Sequence, residues 1–283
     1  MIGTKVGGDK MKATLEHAIT LPMDQQFQFM KDQGYTIKDL CETLLSKDDK
    51  LRNELVPFLF VNSIQSQSID RDELKEIVTT LVSDAYLFYK IGSRDDATVF
   101  VRSNTALWLT IIFQSNEAQS FLSEEEAIRL FEKMTTYLMK EKDLRGYVEP
   151  IGWANAVTNA MNLYIILTKD ASFQLRFIPT ILTGMTKTIQ SGYVFVDDEE
   201  AKFAHFIQAL VSFDYPEEIL IEWIEQLYDR LQFQIYEEGY TPFFYKGKTN
   251  LTHTMQALYF KLKFSRTYPK VQATVSIFLS KWA

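Results

Sequence analysis

Cysteine occurs once in 283 residues, at Cys41. A single thiol excludes an internal disulfide and any multi-cysteine metal site, and a buried, inert side chain is expected. Glycine and proline are scarce, at 11 and 7 residues, about half of what average usage supplies. That shortage argues against a turn-rich β-sandwich or barrel and against a collagenous or low-complexity chain. Histidine is rarer still, and His17, His205 and His253 stand far apart without ligand spacing. No metal and no cofactor is called for. The best apolar stretch, residues 106–113, falls short of the roughly 20 residues that a membrane span needs. Residues 1–12 are polar and lack the pattern of a signal peptide, so a cytoplasmic protein is expected. Nucleotide-binding glycine loops, a G-x-S-x-G elbow and an H-E-x-x-H pair are all missing.

What is present reads as helix almost throughout. Apolar residues Leu74, Ile77, Val78, Leu81 and Val82 recur at three- and four-residue spacing behind Asp70, with Glu73 at the capping-box position. The same grammar returns at Ser123 and Glu126, and Pro216 suits the first turn of a further helix. Pro57 should kink or start a helix. Helix starts fall at intervals of mostly about 20–28 residues, so two helices occupy about 45, the length of a HEAT or armadillo pair. The expectation is an all-α chain, a curved helix-pair solenoid or related α/α superhelix. A disordered leader is expected over residues 1–11 and a single domain over 12–283. Residues 193–196 and 240–245 could be short strands and look more like aromatic-lined loops.

The centre is the most unusual stretch. Glu141, Lys142, Asp143 and Arg145 precede a turn at Gly146, and after Pro150 a helix opens near Gly152 and Trp153. Asn155, Asn159 and Asn162 then share one face. Three amides there make a solvated face, a polar groove lining or an inter-helix network. Upstream, Asp95 and Asp96 suit a helix N-terminus. Arg102, among Val99, Phe100 and Val101, is expected to be a partly buried guanidinium paired with Asp143 or Glu141.

Residues 94–103, 141–148 and 152–154 resemble an uncharacterised family, domain of unknown function 2785, and residues 195–203 resemble another of its acidic landmarks. The resemblance implies an all-helical protein, mostly found in Gram-positive bacteria, and brings no assigned activity. The family's usual pattern has G-W-A-H-A and a second histidine four residues on. Asn155 and Asn159 stand at those positions. Paired histidines could bind metal or move protons, whereas an amide is a weak ligand and no base.

Net charge is −7, which argues against general nucleic-acid affinity. The average hides a division. Residues 1–238 hold 23 bases and 37 acids, whereas residues 239–283 hold seven bases and no acid. Aromatics are interleaved with those bases, from Tyr240 to Trp282. A packed terminal helix pair with a basic rim is expected there, offering a surface to an acidic protein partner or an anionic ligand. The leading functional expectation is therefore a binding or scaffold module with a concave polar groove. Its candidate residues are Arg102, Glu141, Asp143, Arg145, Trp153, Asn155 and Asn159. The alternative is a small-molecule enzyme with the Glu, Asp and Arg groups around Trp153.

Overall fold

The computed structural model describes residues 8–46, 48–114 and 121–282. These are all-helical apart from one short hairpin, and they divide into two compact units. The first unit runs to Met134 and includes Tyr147–Ala154; the second comprises Thr135–Gly146 and the chain from Asn155 onward. No shift in composition marks this partition, which is why one continuous domain is the reading from sequence alone.

The first unit contains α1 (Gly8–Ala18), α2 (Met23–Asp32), α3 (Ile37–Glu42), α4 (Val56–Gln65), α5 (Arg71–Leu81), α6 (Thr98–Gln114) and all but the last residue of α7 (Glu124–Thr135). Its hairpin pairs β1 (Tyr147–Val148) with β2 (Gly152–Trp153) in antiparallel register, Tyr147 opposite Trp153. Helix α1 begins at Gly8, so residues 8–11 of the expected disordered leader are helical; residues 1–7 lie outside the described residues. The expected caps are in place. Asp70 accepts from the Glu73 amide at 2.8 Å and Glu73 accepts from the Asp70 amide at 3.3 Å, closing a capping box on α5. Ser123 and Glu126 do the same for α7. Pro57 stands in the first turn of α4 behind a π-helical turn at Leu51–Leu55. A helix start suits a residue with no N–H to donate.

The core of this unit gathers around α6. Trp108 is fully buried, edge-on to Phe60 at 5.1 Å, and its indole N–H donates to the Arg52 carbonyl at 3.1 Å. Cys41 is also fully buried, and burial pushes its thiol up to about 12, so it is an inert core side chain as expected.

The second unit contains α8 (Tyr137–Lys140), α9 (Ala156–Leu167), α10 (Ile178–Ile189), α11 (Glu199–Ala209), α12 (Glu217–Glu238), α13 (Pro242–Ser265) and α14 (Pro269–Trp282). Helix α9 is apolar on nearly every side and is buried accordingly, with Tyr164 donating its hydroxyl to the Thr135 carbonyl at 3.2 Å and accepting from the Leu138 amide at 2.9 Å. Helix α10 packs tightly on α8 through Gly184: a Cβ there would stand 3.1 Å from the Met139 amide nitrogen and 3.3 Å from Leu138 Cβ.

One expectation is corrected here. Residues 242–245 form neither a strand nor a loop but the first turn of a helix, and only 240–241 lie outside it. Thr241 accepts from the Phe244 amide at 3.2 Å as an N-cap, Pro242 occupies the first turn, and α13 starts there. The terminal helix pair α13 and α14 is present, and its buried face includes Leu251, Leu258, Leu262 and Val271.

Candidate functional site

Arg102, on α6 in the first unit, is fully buried. Its Nη1 lies 3.0 Å from the Tyr89 carbonyl, 3.4 Å from that of Lys90, 2.8 Å from Thr98 Oγ1 and 3.3 Å from Ser93 Oγ. The guanidinium thereby gathers the chain that leads into α6. Asp96 caps that helix, accepting from the Thr98 amide at 2.8 Å. Burial opposes the Asp96 charge, but the Thr98 hydrogen bonds and the positive charge of Arg102 hold its carboxyl below the ordinary range. Next to Arg102, the buried Ser103 hydroxyl donates to the Ala154 carbonyl and ties α6 to the end of the hairpin. Trp153 stands on that hairpin, 46% exposed, edge-on to Tyr147 at 5.3 Å.

The carboxylates of the central motif belong to the second unit. Glu141 is buried, and its Oε1 accepts from the amides of Lys142 and Asp143 at 2.9 and 3.0 Å. Tyr137 donates to its Oε2 at 3.2 Å. Asp143 is fully buried and meets Arg145 in a fork, Nε to Oδ1 at 2.8 Å and Nη2 to Oδ2 at 2.6 Å. Each of these charged groups is held by groups of its own unit, and the loop of residues 141–146 is shaped by its own side chains.

Asn155 takes a left-handed backbone (φ 50°) immediately before α9, and its Oδ1 is buried without a hydrogen-bond partner. Asn159, one turn further on, is only 9% exposed, and Asn162 is half-buried. Of the three amides, Asn159 is thus the buried one, and Asn155 and Asn162 keep part of their exposure. Nearby, Thr158 donates to the Asp197 carbonyl at 3.5 Å. Glu199, at the start of α11, is buried and accepts from the amides of Val196 and Asp197 at 3.0 and 2.8 Å, while burial pushes its carboxyl upward. Asn250 of α13 braces the same loop. Its Nδ2 donates to the carbonyls of Ile189 and Tyr193 at 3.1 and 2.8 Å, and its Oδ1 accepts from the Phe195 amide at 3.0 Å.

Two clefts open within the second unit. One, of about 340 Å³ between α10 and α12, has Leu182 and Trp223 in its lining and carries both signs of charge, Lys187 and Arg230 with Glu222. The other, of about 420 Å³, is lined from α12, α13 and α14 by Tyr240, Phe244, Tyr245, Lys248 and Lys281, with Gln232 and Ile235 completing it. It contains two ammonium groups and no carboxylate. The aromatic and basic residues of this cleft are visible in the sequence as an interleaved segment. Their convergence is not, because Lys281 arrives from a different helix, and Gln232 and Ile235 come from the acidic stretch before it.

Among the described residues, no group of three or more His, Cys, Asp or Glu side chains could hold a metal ion. None of the described helices is long and apolar enough to cross a membrane. The chain matches the family described as Protein of unknown function (DUF2785) over residues 87–260, more than half of its length, and it belongs to that family. The matched span includes Arg102, the whole central motif and Lys248, and stops short of Lys281. No curated protein and no solved structure matches the chain.

Proposed function

We propose that the chain is a cytoplasmic bacterial binding module, built as a helix-pair array of the HEAT or armadillo kind, which captures a negatively charged partner or ligand through its basic C-terminal segment. One contrast supports this reading. The charges of the central motif are engaged by the protein's own backbone and by each other, as in the Asp143–Arg145 fork. The cleft between α12, α13 and α14 is lined by Lys248 and Lys281 and by no carboxylate, within a segment, residues 239–283, that holds seven bases and no acid. Glu141, Asp143 and Arg145 then act as architecture of the second unit, to which Asn155 and Asn159 also belong, and Arg102 and Trp153 as architecture of the first. The enzyme alternative gives Glu141, Asp143, Arg145 and Arg102 acid/base and anion-holding roles around Trp153, whereas Glu141 accepts from the amides of its own loop and Asp143 is closed in the Arg145 fork.

The test is binding of a fluorescently labelled glutamate-rich peptide, followed by anisotropy at low and high salt. Binding that disappears at high salt, and in a variant with Lys246, Lys248 and Lys281 all changed to alanine, is the expected result. An unchanged signal in that variant, or no binding at low salt, removes the reading.

A further inference from the structure

From the cleft between α10 and α12 we infer a separate binding site, for a small amphiphile with an apolar body and one carboxylate. It shares no lining residue with the cleft at α13 and α14 and goes beyond the reading above. Two contacts set its register. The Trp223 indole N–H donates to Thr186 Oγ1 at 2.9 Å, and Gln190 Nε2 donates to the Leu227 carbonyl at 3.0 Å. From the first contact to the second, both helices advance by four residues, so α10 and α12 run side by side in the same direction. Leu182 and Ile219 therefore stand at one end of the cleft, and Lys187 and Arg230 towards the other. The floor consists of the buried Leu182, Thr186 and Trp223. The Thr186 hydroxyl donates to the Leu182 carbonyl at 3.0 Å and receives the indole N–H, so both floor donors are used within the protein. What the floor offers a ligand is ring and aliphatic surface. Ile219, 43% exposed, extends that surface along one wall, and covering it removes apolar area from water.

Charge enters from the other end. Lys187 Nζ donates to the Met139 carbonyl at 3.4 Å, a neutral acceptor. Among the described residues, the Arg230 guanidinium has no hydrogen-bond or ion-pair partner. Glu222 is the opposing group in the lining, and its Oε1 accepts from Gln226 Nε2 at 3.1 Å. It lies eight residues before Arg230, about 12 Å along the helix axis. Two cations against one carboxylate leave the cleft one anion short of neutrality, and a ligand carboxylate on the Arg230 fork supplies it. The apolar body then lies back over Trp223 towards Ile219, along a stripe of about 16 Å. The volume of about 340 Å³ is that of a small-molecule site.

Isothermal titration of the full chain with octanoate, 1-octanol, acetate and octylammonium tests the inference. Octanoate should saturate a single site with a Kd below about 1 mM. Octanol and acetate each lack one half of the contacts and should bind at least about tenfold more weakly, as should octylammonium, whose charge has the wrong sign. Arg230 and Ile219 are exposed, so variants at these positions keep the fold. Arg230→Ala should weaken octanoate about tenfold and leave octanol unchanged, whereas Ile219→Ser should weaken both. Octanol or octylammonium binding as tightly as octanoate overturns the cationic end. Octanoate affinity that neither variant changes overturns the placement of the site. Failure of octanoate to saturate removes the site and leaves the binding-module reading intact, since the glutamate-rich peptide addresses other residues.

Discussion

The Arg145 guanidinium closes on the Asp143 carboxylate with both arms, at 2.8 and 2.6 Å, across a separation of only two residues. Asp143 is fully enclosed, while the Arg145 side chain keeps 22% of its exposure. The pair is therefore a local staple, with the acid inside and the base at the lid. Removing the lid takes both of these bonds away from a buried charge. Arg145→Ala is expected to cost about 3 kcal/mol in urea unfolding. The double variant with Asp143→Ala should cost clearly less than the sum of the singles, and additivity of the two would show that the fork is not the coupling element.

Arg102 gives a second prediction. Its Nη1 reaches two carbonyls and two hydroxyls in the chain leading into α6. Arg102→Ala should cost about 3 kcal/mol by leaving buried acceptors unanswered. Arg102→Lys should recover less than half of that loss, because a single ammonium cannot replace a planar fork. Denaturant midpoints decide the matter, and a loss below about 1 kcal/mol would falsify the hub.

Two glycines separate steric from backbone effects. Gly92 has φ 90° and open space where a Cβ would go, so Gly92→Ala should cost about 1 kcal/mol for the left-handed backbone alone. Gly184 is helical and carries no such strain, yet a methyl there would press on the α8 backbone at 3.1 Å. Gly184→Ala should still lose about 1–2 kcal/mol, although alanine is the better helix former by about 1. Equal or better thermal stability of that variant would mean that α8 yields.

Glu199 predicts a pH effect of definite sign. Burial raises its carboxyl above the ordinary 4.5, so the folded chain holds that proton more tightly than the unfolded chain does. Its contribution is fully present below about 4.5 and is lost as pH rises through the raised folded value. Glu199→Gln keeps an oxygen for the Val196 and Asp197 amides. Relative to the parent, it should gain stability near pH 7 and show little gain near pH 4. Urea midpoints at the two pH values check this, and a loss at neutral pH that exceeds any loss at acid pH would contradict it.

The elements that sequence reveals best are those whose signals are local. The Asp70 and Ser123 capping boxes each span three residues, and both form as the pattern requires. The hairpin is different. Strands of two residues, Tyr147–Val148 and Gly152–Trp153, are too short to show alternation. The start of α13 is written as Thr241-Pro242, a cap followed by a first-turn proline, but the aromatic cluster around it reads more like an aromatic-lined loop. For the central motif, charge alone pointed to a special stretch, and only coordinates show that Glu141 is turned onto the amides of its own loop. The three-helix cleft is a tertiary product, with Lys248 and Lys281 brought together from α13 and α14.

Asn250 has a consequence for the order of assembly. One amide on α13 answers three backbone groups between Ile189 and Phe195, 55–61 positions earlier in the chain. During synthesis that loop lacks its template until the ribosome has passed residue 250 and α13 has docked. The acidic landmark that follows the loop is thus among the last features of its unit to settle, although it is made long before α13.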